Sequence, residues 1–595
     1  MDKAKKEFAW PTRRDGDTVR TPPAFRRSFF RAAILCTTVC AVGLLYLSSG
    51  LYRTCGHLSG SHSGSQNPAY LIEARHGAVA SENKLCSDIG VQILKSGGNA
   101  VDSAIATTFC IGVVNMFSYV CSSGIGGGGF MTVRVPPATK DAKSDVFTID
   151  FREVAPALAN ATMYRNNPNA SRFGGLAVGV PGELRGLEEA YRRWGTLPWS
   201  RLVQPSIDLA KGWKVDAELA RRITWFPDLM LNTSDWSSIF APQGRFLREG
   251  EIIRRVNLSR TLQTIANEGA GAFYKGPIAD SIVRKVIATG GILSQADLEN
   301  YSVHVDRALE GTFNGRKVYT SRAPTSGPVL LHMLNLVENY DFRQKTPLNV
   351  HRIVEILKFG FSARTRVGDP AYMNDTAYIN EIPTKAFSNL IAANITDDRT
   401  HPSDYYNPIY DVKIDHGTSH TSVVDKNGMA VALTSTVNLI FGSEVMDPET
   451  GVILNDEMDD FSTPDNYPEP GKRPLSSTTP TIFEHPDGSF YLAIGGSGGS
   501  RIFGAVFQTI INLDWGMDVS RAIESGRLHH QLYPEGLDID STYPLYIIEA
   551  LKEIGHNVTV ADINRVAAVI QAVVQKDGRI FAASDSRKNG IAAGY

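Results

Sequence analysis

Apolar and polar positions along the chain change period several times, and each change predicts an element. Ala32 to Tyr52 runs 21 residues without a charge, between Arg31 and Arg53. As a helix that run is roughly 30 Å long, one hydrocarbon thickness. Glu82–Lys95 carries a helical period and stops at Gly97-Gly98, a glycine C-cap signal. Ala100–Val114 is almost wholly apolar and rich in small residues, as a buried helix would be. Phe130–Val135 and Phe147–Phe151 read as strands, and Arg185–Trp194, Leu202–Trp213, Pro277–Ala288 and Val329–Tyr340 as helices. Thr421–Asp425 and Met429–Asn438 are strand-like runs around Asn427-Gly428, a strong hairpin signal. Tyr491–Gly495 is a buried-type strand that enters Gly496-Ser-Gly-Gly499 and then a helical run, Arg501–Trp515. Residues 396–415 are polar and read as an exposed tail leading into the hairpin.

Charge gives the long apolar run its meaning. Residues 1–31 hold nine Lys/Arg against four acids, so the basic side stays cytosolic and residues 53–595 lie beyond the membrane. A cleaved signal peptide is the competing reading, but the basic leader is long and the apolar run exceeds a signal core. The expected organisation is a cytosolic tail (1–31), a signal-anchor (32–52), a stalk (53–68) and a packed region from 69 onward. Eight Asn-x-Ser/Thr sequons lie on the predicted outer side: Asn160, Asn169, Asn232, Asn257, Asn300, Asn374, Asn394 and Asn557. Of the cysteines, Cys55 and Cys86 are expected to pair in an oxidising compartment, with Cys110 in the core. No Cys/His metal spacing occurs. The net charge of -2 over 595 residues offers no basic excess for nucleic acid.

Candidate chemistry gathers in the last third. Thr418 follows Gly417 at the front edge of the predicted hairpin, and its partner strand carries Thr434, Thr436 and Asn438. A threonine hydroxyl is a poor nucleophile unless a base adjoins it. A chain cut just before the threonine supplies one, the new α-amine, whose ordinary pKa of about 7.7–8.0 suits the task. Asn455–Asp460 is an acidic cluster without the EF-hand pattern, and Arg473-Pro-Leu-Ser-Ser477 sets two hydroxyls side by side. The glycine turn at 496–499 can aim backbone N–H groups at an oxyanion. It also matches G-x-S-x-G through Gly495, Ser497 and Gly499. That supports a rival reading, an α/β-type serine hydrolase with Ser497 as nucleophile, His556 as base and Asp538 or Asp540 as orienter. Against it, only 98 residues follow Ser497. Gly124, Gly126 and Gly129 match a dinucleotide fingerprint by letter, but a strand follows where a helix is needed, so a tight glycine loop is the better reading.

Seven motifs in order give a wider resemblance: Phe151-Arg-Glu-Val-Ala-Pro156, Gly417-Thr-Ser-His420, Thr434-Ser-Thr-Val-Asn438, Asn455-Asp-Glu-Met-Asp-Asp-Phe461, Arg473-Pro-Leu-Ser-Ser477, Gly495-Gly-Ser-Gly-Gly499 and Ser584-Asp-Ser-Arg-Lys588. The chain resembles the γ-glutamyltransferase family of N-terminal-nucleophile hydrolases over roughly residues 67–595. The resemblance implies an α+β fold, a four-layer αββα sandwich shared by a large chain, 69–417 in its catalytic part, and a small chain, 418–595. It implies self-cleavage between Gly417 and Thr418. Thr418 then attacks the γ-carbonyl of glutathione or a conjugate, and water, an amino acid or a dipeptide resolves the γ-glutamyl ester. Thr436 would orient the Thr418 hydroxyl, and Gly498 and Gly499 would form the oxyanion hole. Arg152, Ser476 and Ser477 would hold the substrate's α-carboxylate, and Asn438, Glu457 and Asp460 its α-ammonium. His420 is support at most. No metal or organic cofactor is implied. A type II membrane protein follows, its catalytic part extracellular or in a vacuolar or endomembrane lumen. The stretch between Asp460 and Arg473 is short, so a long lid is absent or reduced. An inactive membrane-anchored homologue stands as a third reading.

Overall fold

A computed structural model describes residues 70–116, 123–139, 142–410, 417–461, 466–562 and 568–595. The predicted tail, anchor and stalk, together with Cys55, Cys121 and His416, lie outside them. Among the described residues no helix is long and apolar enough to cross a membrane.

Two seven-stranded sheets form the centre. In the first, the strands run Ala593–Gly594, Ala78–Ala80, Ser419–Val424, Ala430–Thr436, Gly128–Val135, Asp145–Phe151, His304–Arg307. In the second they run Ile72–Ala74, Arg579–Ser584, Val569–Lys576, Phe490–Ser497, Thr481–Glu484, Arg316–Thr320, Leu309–Phe313. Every pairing in both sheets is antiparallel. The predicted hairpin is present at the middle of the first sheet, with Ser419 opposite Ser435 and Val424 opposite Ala430. Its turn is tightened by Asp425, whose carboxylate accepts the Asn427 and Met429 amides at 2.8 and 3.1 Å. Gly428 takes the left-handed conformation there, φ +79°.

Side-chain size explains the layering. Because successive residues of a strand face opposite ways, the hairpin strands present Val423, Val431 and Leu433 to one side and Val424, Ala430 and Ala432 to the other. The larger aliphatic face packs on the helix Ala100–Val114, which is buried nearly all round. The small-residue face packs on the second sheet through Ile482, Ala493, Val573 and Ala582. Helices Gly327–Val337, Pro347–Arg364 and Ile502–Asp514 cover the far face of that sheet over Leu492, Ile494 and Ile570. The order is therefore helix, sheet, sheet, helix. The inner faces meet closely at Gly495, where a Cβ would sit 2.2 Å from the His420 ring.

Two expectations are corrected. Cys86 bonds Cys110, not Cys55; the S–S distance is 2.01 Å, and the bridge staples helix Lys84–Lys95 to Ala100–Val114. The apolar setting of Cys110 is shared by Cys86, one helix away. The stretch predicted as an exposed tail is partly packed. Ser403 Oγ donates to the Leu532 carbonyl at 2.8 Å, and Tyr406, itself buried, donates its hydroxyl to Glu355 at 2.5 Å. Its tyrosines, read as polar, supply aromatic bulk against helix Pro347–Arg364, where Tyr406 stacks edge-on to Phe359. Residues 411–416 lie outside the described residues.

Gly495→Ala should force the sheets apart at His420. Overpacking of this kind costs about 1–3 kcal/mol, so the midpoint of thermal unfolding should fall; an unchanged midpoint would show that the contact is slack.

Candidate active site

The junction before Thr418 is held in an unusual backbone. Gly417 has φ +130°, and a Cβ there would lie 1.2 Å from the Asn438 carbonyl oxygen, so no other residue fits. Thr418 follows at φ +96°, a region that β-branched residues avoid. Around this strained bond two strand ends converge. The Gly498 amide, at the end of Phe490–Ser497 in the second sheet, donates to the Gly417 carbonyl at 3.1 Å. From the return strand, Thr436 Oγ1 accepts from Thr418 Oγ1 at 3.5 Å and from the Asn438 amide at 2.7 Å. The carbonyl before Thr418 is polarised by a fixed N–H, and the threonine hydroxyl is directed to Thr436. This arrangement can stabilise a tetrahedral oxyanion formed on Gly417.

A buried charged cluster adjoins the junction. Arg152 follows the strand Asp145–Phe151 and is 2% exposed. Its guanidinium pairs with Glu457, with Asp460 at 2.6 Å and more distantly with Glu153 at 3.9 Å. It also donates to the carbonyls of Pro474 and Leu475 at 3.4 and 3.1 Å. Burial works against its charge, but Glu457, Asp460 and Glu153 more than offset that and hold the proton firmly. The carboxyls are less well served. Burial pushes Glu457 well above the usual range and Asp460 upward, with Arg152 opposing in both, and Glu153 rises to about 8 for the same reason. Among the described residues, both Glu153 oxygens and Glu457 Oε2 have no hydrogen-bond partner. Three acids thus share the Arg152 guanidinium, and the site can accept a further positive group.

The serine pair is set by its loop. Asp369 accepts the Arg473 amide at 2.9 Å, the Ser476 amide donates to Pro324 O at 2.8 Å, and Ser326 Oγ donates to Ser476 O at 2.9 Å. Ser476 Oγ shares a hydrogen bond with Thr478 Oγ1 at 3.0 Å, and Ser477 Oγ accepts from Arg364 Nη2 at 2.7 Å. Asn438 Nδ2 donates to the Asp456 carbonyl at 3.2 Å, which ties it to the turn Glu457–Phe461. Asn455 in turn anchors the acidic stretch, donating to the carbonyls of Gly126 and Gly179 at 2.8 and 2.9 Å. The glycine loop at 124–129 thus backs the site, and a strand follows it. Residues 462–465, part of the stretch read as too short for a lid, lie outside the described residues.

The serine-hydrolase constellation does not assemble. Ser497 Oγ donates to Glu82 at 2.6 Å. His556 instead faces His351, Nε2 to Nδ1 at 2.8 Å, and Asp538 pairs with Arg501 at 3.3 Å. Both large sheets of the described residues are antiparallel, where such an enzyme needs a parallel one. His351, Glu355 and His556 bring one possible metal ligand each within 4.8 Å of one another. Their polar atoms are largely satisfied without an ion: His351 Nε2 bonds the Thr396 carbonyl at 2.7 Å, and Glu355 accepts from Thr400 and Tyr406 at 2.6 and 2.5 Å.

Two residues near the site escape the sequence reading. Glu82 accepts from Ser497 Oγ, from the His420 amide at 3.2 Å and from Ser419 Oγ at 3.4 Å, bridging the start of strand Ser419–Val424 and the end of strand Phe490–Ser497. Burial pushes its carboxyl up to about 7 against the opposing charge of Lys588. Arg364 ends helix Pro347–Arg364, in a stretch where the sequence offers no candidate chemistry. Nothing local marks either one, because each meets its partners only through the fold.

Comparison with known proteins accords with this geometry. The family profile described as Gamma-glutamyltranspeptidase matches residues 86–595. Glutathione hydrolase proenzyme 1 of Schizosaccharomyces pombe is 42% identical over 557 residues, covering 90% of this chain and 86% of the relative. The glutathione hydrolase proenzyme of Escherichia coli is 32% identical, covering 90% and 94%. Among solved structures, cephalosporin acylase from Bacillus halodurans shares the fold, with a TM-score of 0.80 at 24% identity over 91% of this chain and 99% of that one. A chain of Helicobacter pylori gamma-glutamyltranspeptidase aligns at 28% identity and a TM-score of 0.50, over 60% and 100%. The fold is that of the α+β N-terminal-nucleophile hydrolases and acylases. The chain belongs to the gamma-glutamyltranspeptidase family.

His420, buried between the sheets, gives a pH prediction. Burial lowers its pKa to about 3. A folded pKa below the ordinary 6.5 means that its share of stability is present above pH 6.5 and is lost as pH falls toward 3. That share amounts to about 1.4 kcal/mol per pH unit. The stability of His420→Asn should therefore fall less steeply than wild type between pH 6 and 4, read by chemical denaturation at each pH; equal slopes would show that His420 already carries its proton in the folded state.

Proposed function

We propose that the chain is a γ-glutamyltransferase with glutathione hydrolase activity, made as a precursor that cuts itself between Gly417 and Thr418. The Gly498 amide on the Gly417 carbonyl, with the Thr418 hydroxyl directed to Thr436, carries this reading. In the precursor, Thr418 Oγ1 attacks the Gly417 carbonyl carbon. The Gly417–Thr418 C–N bond breaks, the threonine nitrogen takes up the proton that the hydroxyl gives up and becomes a free amine, and water then hydrolyses the resulting ester. The same machinery then has a second use. The freed α-amine of Thr418 takes the hydroxyl's proton as the oxygen attacks a substrate γ-carbonyl, and hands it to the departing amine as the substrate's γ-amide C–N bond breaks, leaving a γ-glutamyl ester that water or an acceptor amine resolves. Gly498 and Gly499 take the new oxyanion, and Thr436 keeps the hydroxyl aimed. Each oxyanion donor is worth about 3–4 kcal/mol of transition-state stabilisation.

The charged cluster supports the substrate class. A γ-glutamyl end is a zwitterion. Its α-carboxylate would take Arg152, Ser476 and Ser477, releasing Glu457 and Asp460 to the α-ammonium alongside Asn438. Ion pairs are exchanged in this step, so no buried charge is left bare. An α-linked glutamate has no free α-carboxylate and cannot make the exchange. The names of the relatives, glutathione hydrolases, point to glutathione as donor.

We further propose a single-pass anchor at 32–52, an outer or lumenal catalytic part, and two associated chains after cleavage, with acceptors that are water, amino acids or dipeptides. Seven of the eight sequon asparagines are exposed. Asn257 alone is half-buried; it donates its amide to Pro448 O at 2.7 Å, and its sequon Ser259 is buried. Glycans are expected on the exposed seven and not on Asn257, which peptide mass spectrometry reads directly.

Purified protein should show two polypeptides, one beginning at Thr418, and Thr418→Ala should remain a single chain without γ-glutamyl hydrolysis. A wild-type protein that stays uncut yet hydrolyses glutathione would end this reading. Arg152→Lys keeps charge but loses the bidentate fork. Its KM for γ-glutamyl donors should rise roughly 10- to 100-fold, the worth of one or two charged hydrogen bonds; an unchanged KM would remove Arg152 from the carboxylate subsite.

A further inference from the structure

We infer that Arg364 is a positioning residue for donor binding, acting through Ser477: it fills the acceptor side of the serine hydroxyl and turns the hydroxyl hydrogen toward the substrate's α-carboxylate. The inference rests on the γ-glutamyl reading above.

Arg364 is the last residue of helix Pro347–Arg364 and is buried. Among the described residues its side chain makes one hydrogen bond, from Nη2 to Ser477 Oγ at 2.7 Å, and its Nε has no partner. No carboxylate of the described residues lies within ion-pair distance of it. A buried guanidinium held by one hydrogen bond is costly, and nothing in the packing calls for it. A basic residue at a helix C-terminus gains a little from the helix dipole, but that gain does not require contact with a serine.

The serine's chemistry supplies the reason. A hydroxyl has one hydrogen and two acceptor lone pairs. With a cationic N–H on one lone pair, the hydrogen must point elsewhere, and the bond polarises the O–H so that it donates more strongly. Ser476 is differently placed: it accepts the Thr478 amide at 3.3 Å and shares its hydroxyl bond with Thr478, with no charged donor. The two serines are therefore unequal, and Ser477 is the one prepared to donate to an anion. Arg364 also places a second positive charge near the site, where it opposes the effect of burial on Asp460.

The test is a mutant cycle on the matured full-length protein, with γ-glutamyl-p-nitroanilide as donor. Arg364→Met should raise KM about tenfold, the loss of one charged hydrogen bond, while kcat changes less than about threefold. Arg364→Gln, whose amide can still donate to Ser477, should recover most of the affinity. Because the arginine acts through the serine, adding Arg364→Met to Ser477→Ala should leave KM where Ser477→Ala alone puts it. An unchanged KM in Arg364→Met, or KM factors that multiply in the double variant, would overturn the inference. Should Arg364→Met stay uncut or unfolded on a gel and by circular dichroism, Arg364→Gln and Arg364→Lys take its place in the same cycle: KM factors that fail to multiply with Ser477→Ala support the inference, and factors that multiply overturn it. Failure of the parent reading looks different: wild-type protein would then not turn over the donor at all.

Discussion

The close approach of two sheets through small side chains is the constraint on which the rest depends. Alanines make up most of the cluster between the inner faces, with Val424, Ile482, Val573 and Ile580 among them, and a glycine lies under the His420 ring. A few larger residues there would move the second sheet outward. The Gly498 amide would then no longer reach the carbonyl before Thr418, because the two belong to different sheets. The reactive junction is thus a product of the core packing, and its geometry is as rigid as that packing. Glu82 works on the same contact, with one carboxylate gripping the start of strand Ser419–Val424 and the end of strand Phe490–Ser497.

The charged cluster follows a different logic. Arg152 is buried among acids in excess, and several of their oxygens lack partners among the described residues. Left to stability alone, such a site would be replaced by apolar packing at little cost. Its persistence makes sense if a ligand completes it. The strained backbone at Gly417 and Thr418 reads in the same way, as local cost held in place by the surrounding fold.

Much of this is legible in the residues. The hairpin declares itself by Asn427-Gly428 between two alternating runs, and helices Ala100–Val114 and Pro277–Ala288 end where their patterns do. The motifs name Thr436, Asn438, Arg152, Ser476 and Ser477. Hydrogen bonds and ion pairs run from Thr418 through Thr436, Asn438 and the Asp456 turn to Glu457 and Arg152. Helix Pro347–Arg364 is not legible, because from Ile353 onward it is buried on all sides and shows no polar stripe, and Arg364 is hidden with it. The pairing of Cys86 is obscured because its partner lies inside an apolar helix, where a cysteine looks like packing. Tyr406 misleads in the opposite way: counted as polar, it anchors its segment.

Both sheets interleave strands from before and after the junction. In the first, Ala78–Ala80 borders Ser419–Val424, and Ala430–Thr436 borders Gly128–Val135; in the second, Thr481–Glu484 borders Arg316–Thr320. A cut at Gly417 would therefore leave the assembled sandwich intact, but it would change what unfolding means. Once melted, two separate polypeptides would have to find each other and interleave, a bimolecular event in place of a loop closure. Maturation would then be a one-way ratchet: the protein folds once as a single thread, and its later persistence rests on the height of the unfolding barrier rather than on any return path.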